Sequence, residues 1–279
     1  MKKKLIALAV AGVLSAPFAV FADEAAAPAA PAAAPAGPHT FTGNVMLTSE
    51  YLYRGIAQTR GKPAIQGGFD YSHSSGLYAG VWGSSITWIS DAVAGASAGL
   101  EADIYGGYKN AFAEGSDWGY DVGVLTYNYP GTGKTNALYQ IKPDTTELYG
   151  AISWKWLSLK YSHTTSALFG INKDSGLSDK TTGSGYLELN AAYDLGNTWG
   201  LSGHVGHQSV HGRSGASYSD VKVGVTKDLG FGTVGLAYSF TDAKDSCAAS
   251  EFYCLANGST GNTYSGGQGR ALLTFGKTF

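Results

Sequence analysis

The chain has 279 residues, of which 44% are hydrophobic and only 14% charged, with 40 Gly and 18 Tyr. That charge content is far below the roughly 25% of soluble domains, yet no stretch past the leader approaches the roughly 20 apolar residues of a membrane helix. Nineteen basic residues less Lys2, Lys3 and Lys4 of the leader leave 16 against 21 acidic ones, a net of −5 that argues against nucleic acid as a partner.

The first 22 residues read as a secretory signal peptide: Lys2 to Lys4, an apolar run from Leu5 to Val20, and a cut after Ala22. Residues 23–40 are an Ala/Pro-rich linker that cannot build a core and is expected to lie extended in the periplasm. From residue 41 to 279 the pattern changes to strands recurring about every 20 residues, each about the length a tilted membrane strand needs.

The first expected strand runs Phe41 to Tyr53, with Phe41, Val45, Leu47, Tyr51 and Tyr53 on one face and Glu50 and Arg54 on the other. The second, Ala64 to His73, sets Ile65, Phe69 and Tyr71 against Gln66 and Asp70. The third, Leu77 to Trp88, is apolar on both faces and has no readable orientation. The fourth, Leu100 to Lys109, alternates Leu100, Ala102, Ile104 and Tyr108 with Glu101, Asp103 and Lys109. The fifth is Trp118 to Tyr129, containing Asp121; the sixth and seventh are Glu147 to Lys155 and Leu157 to Thr164, joined tightly at Trp156. The eighth spans Tyr186 to Leu195, the ninth Trp199 to Gln208, the tenth Asp220 to Leu229, the eleventh Thr233 to Thr241 and the last Arg270 to Phe279.

That makes twelve, an even number, as single-chain bacterial barrels require. Connections after even strands are mostly short and those after odd strands long, as for periplasmic turns and extracellular loops. A soluble sandwich would show polar outward faces, whereas here one face is consistently aliphatic and aromatic. The expected fold is therefore all-β: a twelve-stranded antiparallel transmembrane barrel over residues 41–279, in the outer membrane of a Gram-negative bacterium.

Ser49-Glu50-Tyr51, Tyr53-Arg54-Gly55, Gln58-Thr59 and Pro63 to Tyr71, with Gly76 to Ser84 and Glu101 to Tyr108, resemble the amino-terminal block of the TorF family of proteobacterial porins. Ser85 stands where that block has Asn. The resemblance covers residues 41–108 and implies an outer-membrane pore. The ending also resembles the assembly signal of outer-membrane barrels, with Phe275 and Phe279 on one face and Lys277 as a departure, which implies the barrel assembly machinery and outer-membrane lipid as partners.

Catalytic and metal constellations are weak. His204 and His207 are three apart, hence on opposite faces of a strand, and no recognisable motif surrounds a serine, so neither enzyme activity nor a cofactor is expected. Cys247 and Cys254 of an exported chain are expected to pair in the last extracellular loop. The inferred inner face carries nine acids (Glu50, Asp70, Glu101, Asp103, Asp121, Glu147, Glu188, Asp194, Asp220) and six bases (Arg54, Lys109, Lys155, Lys160, Lys222, Arg270). Most of these are pore-lining candidates for a channel passing small polar solutes with a weak preference for cations. A closed structural or adhesive barrel displaying its loops is the alternative, and an outer-membrane lipid hydrolase a third reading.

Overall fold

The computed structural model describes residues 37–92, 98–131, 143–171, 180–256 and 260–279. The signal peptide and the linker up to residue 36 lie outside the described residues.

Twelve antiparallel strands form a closed barrel. They are β1 (His39–Thr48), β2 (Ala64–His73), β3 (Leu77–Ser85), β4 (Leu100–Ala111), β5 (Trp118–Asn128) and β6 (Thr145–Trp154). The ring continues with β7 (Leu157–Thr164), β8 (Gly185–Gly196), β9 (Trp199–Ser209), β10 (Tyr218–Asp228), β11 (Thr233–Thr241) and β12 (Arg270–Thr278). Each pairs with its neighbours in sequence, and β1 closes on β12 with Val45 opposite Lys277 and Leu47 opposite Phe275. No row of backbone donors and acceptors is left to face lipid.

The outer wall is apolar along its length, with Phe41, Leu47, Ile65, Phe69, Val81, Ile104, Leu148, Val223, Leu236 and Leu273 exposed. Aromatic rings gather at the end that carries the short turns, including Trp118 against Trp154 and Trp156 against Tyr193. A closed barrel with this exterior is an outer-membrane protein.

Two expectations need correction. The first strand starts at His39 and stops at Thr48, so Tyr51 and Tyr53 do not face lipid but are buried inside the barrel. They keep the parity of Val45 and Leu47, yet the backbone has already turned, and alternation cannot register a turn. The third strand ends at Ser85, and Trp88 opens a short helix, α1 (Trp88–Ala92). Its orientation is now plain: Leu77 and Val81 face out, Tyr78 and Trp82 face in.

Part of the abundance of Gly and Tyr has one physical cause. Tyr105 stands directly opposite Gly80, Tyr78 opposite Gly107, and Tyr149 opposite Gly123, each ring lying over the glycine where a side chain would be. Tyr186 does the same diagonally over Gly206. Gly80→Ala would bring its Cβ to 2.5 Å from the Tyr105 ring, whose hydroxyl donates to Asp70 at 2.5 Å. This substitution is expected to lower stability by about 1–3 kcal/mol, measured by thermal unfolding in detergent; wild-type stability would reject the pairing as a packing element.

Cys247 and Cys254 are joined in the loop after β11. The bridge closes only a short loop, at the start of a small two-stranded ladder (Cys254–Ala256 with Thr263–Ser265) separate from the barrel sheet, so reduction is expected to leave the barrel's melting temperature within about 2 °C of its oxidised value. A larger fall on adding reductant would show that the loop holds the wall.

Candidate functional site

The loop after β1 does not project outward. It folds into the lumen as a hairpin, pairing Leu52–Tyr53 with Ile56–Ala57 around an Arg54-Gly55 turn. Both turn residues have positive φ, 47° and 77°, the two-residue geometry that continues the twist of a hairpin. Arginine at such a position carries strain of about 1 kcal/mol or more, held only where the surroundings fix it.

What fixes it is the far wall. In a twelve-strand ring β1 lies opposite β7, and Arg54 reaches the strands around that point. Its Nη1 and Nη2 donate to Oε1 and Oε2 of Glu147 on β6, at 3.1 and 2.8 Å, and Nη1 also donates to Gln208 Oε1 on β9 at 2.7 Å. The guanidinium lies 4.1 Å from the centre of the Tyr186 ring on β8 and 4.8 Å from that of Tyr53. Gly55 sits close enough to β10 and β11 that a Cβ there would meet the side chains of Asp220 and Thr241. The hairpin thus spans the lumen.

Its base is held as firmly. Ser49 N donates to Leu273 O and Leu273 N to Ser49 Oγ, at 2.9 and 3.0 Å. Glu50 accepts from Gly61 N (2.7 Å) and Tyr264 Oη (2.9 Å), and faces Arg270 Nε at 3.4 Å. Burial and the neighbouring Glu50 carboxylate push the Tyr264 hydroxyl above the usual tyrosine range, so it stays a donor. Gln58 O accepts from Thr87 N and Trp88 N, and Arg60 pairs with Asp91 on α1 at 3.4 Å. Tyr51 donates to Glu101 Oε1 at 2.8 Å and Tyr53 to Tyr127 Oη at 3.0 Å, against Trp82 and Phe169.

Beneath this layer runs a band of alternating charge. Asp70 and Asp121 accept from Tyr105 and Tyr78. Lys109 lies over the Tyr78 ring, and Lys160 lies over Tyr149 and 3.7 Å from Glu188. Lys222 is buried opposite His204 in the strand register. His204 has both ring nitrogens engaged, Nε2 with Asp220 at 2.8 Å and Nδ1 with Asn190 at 2.6 Å, while His207 is exposed on the outer face. Among the described residues no group of three His, Cys, Asp or Glu could hold a metal. Towards the turn end the inward side chains are small, among them Ser153, Ser158, Ser202, Thr226 and Thr274, and they are partly exposed.

All eleven charged candidates therefore lie inside the barrel. Glu50 and Arg54 sit on the hairpin, and Asp70, Glu101, Asp103, Lys109, Asp121, Lys160, Glu188, Lys222 and Arg270 on the wall. Two further inner-face residues do not join them: Lys155 and Asp194 sit exposed at the turn end. Gln208 and Tyr186 had no sequence signal; the hairpin itself did, in Arg-Gly between the apolar pairs Leu-Tyr and Ile-Ala.

Solved structures similar to this chain include a KdgM porin, at 6% identity over 85% of this chain and 98% of that one, with a TM-score of 0.48. A NanC porin has 10% identity over 86% and 98%, with a TM-score of 0.48. An outer membrane channel from Pseudomonas putida F1 has 12% identity over 88% and 97%, with a TM-score of 0.41. No curated protein is similar to the chain in sequence. A family described as "Bacterial protein of unknown function (Gcw_chp)" matches residues 32–279. That description does not carry the TorF name, which stays with the resemblance of residues 41–108. The chain belongs to the Gcw_chp family.

Proposed function

We propose that this protein is a channel for small hydrophilic solutes, closed here by its own first extracellular hairpin. One observation carries the reading: a loop, not the wall alone, fills the outer half of the lumen, where Tyr51, Tyr53 and Arg54 pack among inward wall side chains such as Trp82, Leu125 and Tyr127. The wall itself turns glycines inward, and although tyrosine rings cover Gly80, Gly107, Gly123 and Gly206, no such ring lies over Gly68, Gly119, Gly224, Gly235 or Gly276. Eight strands are just filled by their own side chains, so twelve with such a lining leave a lumen once the hairpin is withdrawn. The TorF resemblance supports the same reading, because one of its matching words, Tyr53-Arg54-Gly55, forms the hairpin turn and two more, Ser49-Glu50-Tyr51 and Gln58-Thr59, flank it. The charged residues inside the barrel are the proposed lining, outer-membrane lipid and the barrel assembly machinery the proposed partners.

A closed barrel that only displays its loops is favoured by the depth of burial at the hairpin, where Tyr51, Glu101 and Glu147 are each 1% exposed. A tether separates the two. A Cβ on Gly55 would lie 3.3 Å from Thr241 Cβ and 2.9 Å from Asp220 Cβ, so a turn that moves slightly away from Asp220 reaches disulfide geometry with Thr241. Gly55→Cys with Thr241→Cys is expected to give a barrel that is silent in planar bilayers when oxidised and shows openings after reduction, with the unmodified protein insensitive to reductant. Equal currents before and after reduction would remove the hairpin from the gate.

A further inference from the structure

We infer that the place occupied by the Arg54 side chain is a binding site for guanidinium-bearing solutes, and that Arg54 is its tethered occupant. The inference deepens the channel reading and rests on it for passage, though not for binding.

Nearly everything Arg54 touches belongs to the wall and would stay when the hairpin leaves. Glu147 presents both carboxylate oxygens, and Gln208 a third acceptor. The Gln208 amide is oriented for this, because its Nε2 donates to Gly185 O at 3.1 Å and leaves Oε1 towards the lumen. Tyr186 supplies the stacking face and Tyr127 steadies Glu147 Oε2 from 3.3 Å. Three acceptors serving two terminal nitrogens of one planar fork, with a ring against its face, match a guanidinium better than the point charge of an ammonium.

The neighbouring charge points the same way. Glu101 and Asp103 lie on β4, with Asp103 opposite Tyr127 in the register. Asp103 is 4% exposed, and its Oδ1 has no hydrogen-bond partner among the described residues. Three carboxylates therefore share this layer with one hairpin guanidinium. Withdrawing Arg54 leaves them without that cation, and a buried carboxylate with no partner is costly enough to recruit a replacement. A latch made only to hold the hairpin uses the Glu147 fork and Glu101, which accepts from Tyr51, but has no use for Asp103 beside them.

The test uses the mature barrel refolded in detergent. Arg54→Ala leaves a guanidinium-shaped vacancy facing Glu147. At about 10 mM, far below denaturing concentration, guanidinium chloride is expected to raise the melting temperature of this variant by roughly 3 °C. Sodium chloride and urea, the latter of similar shape but uncharged, should not, and guanidinium should do nothing to Arg54→Ala with Glu147→Gln. If Arg54→Ala fails to refold alone, refolding yield is the readout: recovery with guanidinium but not sodium supports the site. No recovery, while the double variant folds, overturns it, as does stabilisation by guanidinium no greater than by sodium. Flux through a barrel in which residues 51–58 are replaced by Gly-Gly separates the two readings. Conductance without any guanidinium effect keeps the channel and discards the site, whereas guanidinium stabilisation without conductance keeps the site and discards the channel.

Discussion

Replacing residues 51–58 by Gly-Gly should turn a nearly silent barrel into an open one, with single-channel conductance raised by about tenfold or more. The graft is short enough to fit, because Gln58 N donates to Tyr51 O at 2.8 Å and the two ends of the hairpin already meet. Tyr51, Tyr53 and Arg54 leave the lumen together, uncovering Glu101, Asp103 and Glu147. The opened pore should therefore prefer cations more strongly than the intact lining would, since the excess of acid is concentrated in the layer the hairpin covers. Below it, Asp70, Asp121 and Glu188 are balanced by Lys109, Lys160 and Lys222. Neutralising Glu101, Asp103 and Glu147 in the shortened barrel should move the reversal potential back towards zero. High salt should blunt the preference, because screening acts over about 8 Å at physiological ionic strength. No current from the shortened barrel would leave the display reading, and anion selectivity would contradict the placement of charge.

Deleting Phe279 should cost most of the assembled protein. Gly43 N donates to Phe279 O at 2.7 Å and Phe279 N to Gly43 O at 2.9 Å, so this residue forms the last rung between β12 and β1. Its ring also covers Gly43. Removing it frees two backbone groups at the lipid boundary, each costing up to several kcal/mol where water is absent. The assembled fraction, read from heat-modifiable migration on gels, is the measurement; Phe279→Tyr should retain it. A truncated chain assembling at wild-type levels would show that closure does not depend on this rung.

Most of the wall was legible because lipid and water ask for different side chains at alternate positions. β2, β7 and β11 have the bounds that the alternation gave them. The third strand had no readable side because its inward residues, Tyr78 and Trp82, are as apolar as its outward ones; their glycine partners lie on another strand or are hidden in composition. The charged interior was legible as a set of residues but not as pairs. Arg54 meets Glu147 and Gln208 across 93 and 154 residues, and nothing in local pattern relates them. The inward hairpin was misread for a similar reason, since Tyr51 and Tyr53 obey the wall's parity while serving its interior.

Those same separations bear on the order in which the molecule is made. Contacts between residues so distant in sequence form late, after neighbouring strands have joined. The hairpin is synthesised near the start of the chain, yet its berth is assembled from β6, β8 and β9, which come later. Until those strands are in place Arg54 has nowhere to dock. Ile56→Cys, buried on the same hairpin and leaving Arg54 in place, should stay open to a thiol reagent during early refolding and become shielded last, and protection before strand pairing would reverse this order. The seal is then a product of completed assembly, so a barrel abandoned part-way would be a leak in the membrane rather than a closed one.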